Sequence, residues 1–145
     1  MVGFLKNGEK MAYIEWSDDF SVNVKEIDSQ HRVLIDMINM LYEAFIAEKG
    51  KDVHKKVIDG MIDYARIHFE TERKYMKQFN FPGYEEHNKE HEIFTQKAME
   101  LQKQFNAAGF ILSSNILNFL KDWLKNHILG TDKKYSNHFN DNGLY

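Results

Sequence analysis

Apolar residues recur along most of this chain at intervals of three and four, the period that gathers them on one face of a helix. Leu34, Ile38, Leu41 and Phe45 form the first stripe, and Asp28 is a suitable N-cap. A helix is expected over 28–48, with Gly50 in its C-terminal turn. Ile58, Met61, Ala65, Phe69, Tyr75 and Phe79 mark a second helix over 52–78, capped by Asp52. Gly60 inside it costs about 1 kcal/mol against Ala, which points to close packing of another helix. Asn80, Phe81, Pro82 and Gly83 then break the pattern. A third stripe over 84–106 carries His87, His91, Phe94, Ala98, Leu101 and Phe105, and Ala107, Ala108 and Gly109 end it. Ile116, Leu120, Trp123 and His127 share one face of a fourth helix over 113–129, which Gly130 is expected to interrupt.

An irregular arm over 1–27 and a short polar tail over 130–145 remain. One proline and no sustained β-branched alternation argue for an all-α chain. Connections of a few residues favour antiparallel neighbours, so the expected fold is a single domain over 1–145, an up-down-up-down four-helix bundle.

Composition narrows the functional classes. At 145 residues, 43% hydrophobic and 28% charged, the chain can bury a core without staples. A net charge of -3 offers no basic surface to nucleic acid or anionic lipid. No apolar run approaches the roughly 20 residues that span a bilayer. Lys6, Asn7, Glu9 and Lys10 interrupt any signal-peptide core, so the cytoplasm is the expected compartment. The absence of cysteine excludes disulfides, iron–sulfur clusters and thiol nucleophiles, leaving any metal site to His, Asp and Glu.

The chain has seven histidines, and five of them lie on the apolar stripes. His31 sits three before Leu34, and His68 three after Ala65. His68 and Glu72 are four apart, as are His87 and His91, so each pair can reach one centre from one helix. Asp132 follows His127 by five residues, an offset that a break at Gly130 would accommodate. In an up-down-up-down bundle His31, His68, Glu72, His87, His91 and His127 all fall at the same end, within roughly two turns of one level. A lone inward histidine is usually a hydrogen-bonded core residue. Five with two carboxylates would leave several buried polar groups to satisfy, at roughly 1–3 kcal/mol each, and a metal satisfies them together. By ligand chemistry alone that metal is iron, zinc or copper. His54, about 21 Å along the axis from His68, and His138 in the polar tail are expected to be solvated. Glu70 should face away, and Glu85, Glu86, Glu90 and Glu92 read as the wet surface of the third helix.

The ordered set His31, His68-x-x-x-Glu72, His87-x-x-x-His91 and His127-x-x-x-x-Asp132 resembles the hemerythrin family, its bacterial single-domain members in particular. Trp16, Pro82 and the Trp123-Leu124 pair also look like family features. The resemblance implies two non-haem iron ions with an oxo or hydroxo bridge. One would be held by His87, His91 and His127 and the other by His31 and His68, with Glu72 and Asp132 bridging. It further implies that dioxygen binds at the open position of the two-histidine iron, in a pocket of Leu34, Phe69, Leu124 and Ile128, with Trp16 and Tyr135 as shields. Reversible dioxygen binding for storage, delivery or scavenging is then the expected function, rather than enzymatic turnover. The alternatives are a di-iron oxidase, peroxidase or nitric-oxide-reducing enzyme, and an oxygen or redox sensor. Sensing would need an oxygen-using or signalling protein as partner, and the chain itself is expected to be a monomer or weak oligomer.

Overall fold

A computed structural model describes residues 13–46, 51–108 and 113–145. Helix α1 spans Lys25–Ile46, α2 Lys51–Gln78, α3 Tyr84–Ala108 and α4 Ser113–Trp123. The chain then winds as a π-helix over Leu124–Thr131 and a 3-10 turn over Asp132–Tyr135, and closes with α5, Ser136–Asp141. No strand occurs among the described residues. Residues near the start of α1, the end of α2, the start of α3 and the end of the α4 extension meet at one level, so the four long helices alternate in direction.

The stripes bury as their spacing requires, with two shifts of register. Leu34, Ile38 and Leu41 are buried, but the seam of α1 ends on Ala44 and leaves Phe45 half-exposed. On α2 the buried position is Met76, four after Glu72, rather than Tyr75. Each fully buried Leu, Ile or Phe stabilises the bundle by about 1.5–3 kcal/mol. At Gly60 a Cβ would lie 2.8 Å from the Met37 sulfur, so a side chain there would have to displace the end of Met37. Asn80 makes the α2–α3 turn with φ 52, a left-handed conformation that Asn tolerates.

Three boundaries differ from expectation. α1 begins at Lys25, so Asp28 is not its N-cap. The Asp28 carboxylate reaches back instead, accepting the Val22 N–H at 2.8 Å and the Ser21 hydroxyl at 2.6 Å, and so pins the arm to the helix. Asp52 lies inside the first turn of α2, where its charge suits the helix dipole. Gly50 and Gly109 lie outside the described residues. The third difference matters most, because Gly130 does not interrupt the fourth helix. A Cβ there would meet open space, so nothing in the packing requires glycine. The expected tail is helical to Asp141, and it buries Tyr135 and Phe139.

Two apolar clusters result. The larger fills the bundle with Leu34, Phe69, Phe94, Leu101, Leu120, Trp123 and Ile128 among others. The smaller closes one end with Val22, Val24, Ile27, Met76, Tyr135 and Phe139. His31 lies between Ile27 and Leu34, Glu72 between Phe69 and Met76, and Asp132 between Ile128 and Tyr135. A polar layer is thus enclosed between two dry ones.

Candidate metal centre

All seven proposed ligands lie in that layer, and all are buried: His31, His68, Glu72, His87, His91, His127 and Asp132. Helical spacing places the pairs on α2 and α3. The π winding places the last two, because the Asp132 N–H bonds the His127 carbonyl across five residues. This wide turn brings an i, i+5 pair onto one face, which an α-helix does not do. A π-turn, rather than a break at Gly130, is the reason that the His127–Asp132 offset works.

The ligand atoms fall into two groups. Glu72, His87, His91, His127 and Asp132 form one, His31, His68, Glu72 and Asp132 the other, and within each all atoms lie within 4.8 Å of one another. Both carboxylates belong to both groups. Asp132 divides its oxygens between them, with Oδ2 3.0 Å from His31 Nε2 and Oδ1 2.9 Å from the Nε2 atoms of both His87 and His127. Glu72 presents Oε1 to His68 Nε2 at 2.6 Å and to His91 Nε2 at 3.6 Å, and Oε2 to His87 Nε2 at 3.0 Å.

Neighbours fix the protonation of two imidazoles. Thr71 donates to the Ile67 carbonyl and accepts from Gln30 Nε2 at 3.0 Å, so Gln30 Oε1 faces His68 Nδ1 at 2.6 Å as an acceptor. His68 therefore carries its proton on Nδ1 and turns the Nε2 lone pair inward. His127 Nδ1 likewise donates to Glu90 Oε1 at 3.2 Å, and the Thr131 hydroxyl holds both Glu90 oxygens at 2.9 Å. Glu90 is thus only partly on the wet surface, about a third exposed (36%) and bonded inward, whereas Glu70, Glu85, Glu86 and Glu92 are exposed as expected.

The electrostatics are those of imidazoles and carboxylates crowded together out of water. Burial works against charge on His87, yet Asp132 and Glu72 push it up to about 10. Burial also opposes charge on His127, which Asp132 and Glu90 push up to about 9. His91, buried and less well paired, falls to about 4. Burial alone would raise Glu72, but His68, His87 and His91 hold it well below the usual carboxylate range. Glu72 Oε1, both Asp132 oxygens, His91 Nε2 and His127 Nε2 are buried without a hydrogen bond of good geometry, although they crowd one another. Such a set of inward acceptors fits a pair of cations sharing two carboxylates, each bound through nitrogen and oxygen.

The sequence model of the Hemerythrin HHE cation binding domain matches residues 22–138. The chain belongs to the hemerythrin family. Hemerythrins are non-haem di-iron proteins that in general bind dioxygen rather than catalyse reactions. Bacteriohemerythrin of Stenotrophomonas maltophilia is 35% identical over 87% of this chain and 81% of its own length. That of Methylococcus capsulatus is 32% identical over 86% of this chain and 95% of its own. A crystal structure of wild-type hemerythrin superposes with a TM-score of 0.78 at 31% identity, covering 87% of this chain and 97% of that one.

The remaining expected residues of this hemerythrin lie as follows. Leu34, Phe69, Leu124 and Ile128 are buried in the large cluster, and Phe69 stacks face to face on His91 at 3.8 Å. Tyr135 is buried 5.4 Å from the His87 ring, whereas Trp16 is half-buried under Arg32. His54 is buried rather than solvated, and burial lowers its pKa. His138 is half-buried with Nε2 on the Phe79 carbonyl. His54 is covered by its place on the α2 stripe, and His138 by the folding of the tail into α5 against Phe79. Spacing also passed over Gln30, Tyr64, Glu90 and Thr131. Tyr64 stacks on His68 at 4.8 Å, and a cavity of about 260 Å³ beside Gly60 reaches Gln30, Tyr64 and His68 between α1 and α2. No helix among the described residues is long and apolar enough to cross a membrane.

Proposed function

We propose that this hemerythrin binds dioxygen reversibly at a di-iron centre, for storage, delivery or scavenging. His87, His91 and His127 would hold one iron, and His31 and His68 the other, with Glu72 and Asp132, which belong to both ligand groups, shared between them. The observation that carries the reading is the inequality of the two ligand groups, three imidazoles against two, around the same pair of carboxylates. The group with two imidazoles offers fewer protein ligands, so an iron held there would be the one able to take dioxygen as a further ligand. When bound, the two irons supply the electrons that dioxygen takes up and gives back.

The chain's own part is to position and to keep dry. Glu72 and Asp132 bring two negative charges into a buried layer, which partly neutralises the metal pair and lowers the cost of burying it. Leu34, Phe69, Leu124 and Ile128 form an apolar wall that excludes water, and with it the protons and nucleophiles that would carry reduced oxygen away. Burial, Asp132 and Glu72 raise the Tyr135 pKa well above its ordinary value, so its hydroxyl keeps its proton. Burial, Asp132 and Glu72 do the same for Tyr64.

Anaerobic reduction of the iron-loaded chain followed by admission of air tests the proposal. An absorption band that appears with oxygen and vanishes under argon over repeated cycles is expected. Conversion to the ferric form in the first cycle, or sustained turnover with peroxide or nitric oxide and an electron donor, would favour an enzyme instead.

A further inference from the structure

Two ligands are held from behind in the same way. Gln30 immediately precedes His31 on α1 and bonds His68 on α2; Glu90 immediately precedes His91 on α3 and bonds His127 on the π segment. In both cases the residue before one ligand histidine accepts the Nδ1 proton of a ligand histidine on the neighbouring element. Each acceptor is steadied by a threonine hydroxyl, Thr71 for Gln30 and Thr131 for Glu90. The geometry repeats across the centre, but the charge does not. Gln30 is neutral. Glu90 offers a carboxylate, with Oε1 toward His127 Nδ1 and both oxygens held by the Thr131 hydroxyl.

An anionic acceptor on Nδ1–H draws that proton away from the ring and makes the opposite nitrogen a stronger electron donor, and such outer partners tune affinity and potential. We propose that Glu90 is a positioning residue that, through His127, makes the three-histidine position the more electron-rich of the two, with Gln30 as its uncharged counterpart behind His68. The asymmetry in ligand number is thereby reinforced by an asymmetry in donor strength. An iron held under His127 would be favoured in the ferric state over one held by His31 and His68. This rests on the di-iron reading above and adds to it a residue outside the ligand set. Thr131 serves the same end, because it fixes the Glu90 carboxylate toward Nδ1.

The test uses the full iron-loaded chain and three variants, Glu90→Gln, Glu90→Ala and Gln30→Glu. Iron content, the ferric absorption spectrum and the midpoint potential are measured for each. E90Q keeps an acceptor but loses the charge, so it should retain both irons with a potential shifted upward. Q30E should shift the potential downward. E90A loses the acceptor and should bind iron roughly 10–100-fold more weakly. E90Q and Q30E with the parental potential and spectrum would overturn the proposal, even if E90A lost iron. A parent chain that takes up no iron pair would overturn the di-iron reading itself, a different result from variants that load normally and behave like the parent.

Discussion

His31 and His68 meet Nε2 to Nε2 at 3.1 Å across the α1–α2 interface, and His68 Nδ1 is committed to Gln30. These two imidazoles belong to one ligand group only, whereas Glu72 and Asp132 belong to both. Removing one of the pair is therefore expected to be selective. His31→Ala should retain the iron at His87, His91 and His127 and lose the other, halving the iron content on elemental analysis. Loss of all iron would mean that the two positions are not separable.

Glu72→Ala should behave differently, because it removes a bridge. Iron content is expected to fall at both positions together, and the thermal midpoint of the loaded chain with it. A variant that still carried both irons would contradict the assigned role.

The metal-free protein should have a stability maximum near pH 6.5. His87 and His127, raised to about 10 and about 9, contribute stability that is full below their unfolded pKa and is lost as pH rises through those folded values. His91, depressed to about 4, resists the proton that the unfolded chain takes up below about 6.5, so stability falls on acidification through that window. Glu72 and Asp132, both held low, lose their contribution in the same direction at still lower pH. Urea titrations of the chelated chain across pH 4–10 would check the shape. A monotonic profile would count against it.

Much of this was legible in the sequence, for physical reasons that can be named. A period of 3.6 set the four stripes, and alternation of direction put six ligands at one end without any coordinates. Asp132 was in the ligand set for the wrong local reason. Gly130 suggested a break, but π winding depends on hydrogen bonding that carries no residue signature. Glu90 and Gln30 were illegible for a related reason. Each sits about 100° around its helix from the ligand next to it, and its partner is on another element, so spacing within one helix passes over both. Asp28 carried a capping signal and does bond backbone, but that backbone lies in the arm.

Two glycines should respond oppositely. At Gly60 a side chain meets the Met37 sulfur at 2.8 Å, so Gly60→Val is expected to cost about 1–3 kcal/mol by overpacking. At Gly130 there is open space, and Gly130→Ala should be neutral or stabilise by up to about 1 kcal/mol through helix propensity. Denaturant midpoints of the loaded proteins would show both.

The central claim is that this chain takes up dioxygen and returns it unchanged, and oxygen stoichiometry tests it most directly. Ferrous iron is added anaerobically to saturation, the excess is removed, and oxygen uptake and release are followed with an electrode alongside iron analysis. The expected result is one dioxygen taken up for each iron pair and recovered under argon, with the irons ready to bind again. Oxygen consumed without recovery, or uptake by a chain holding a single iron, would contradict the account.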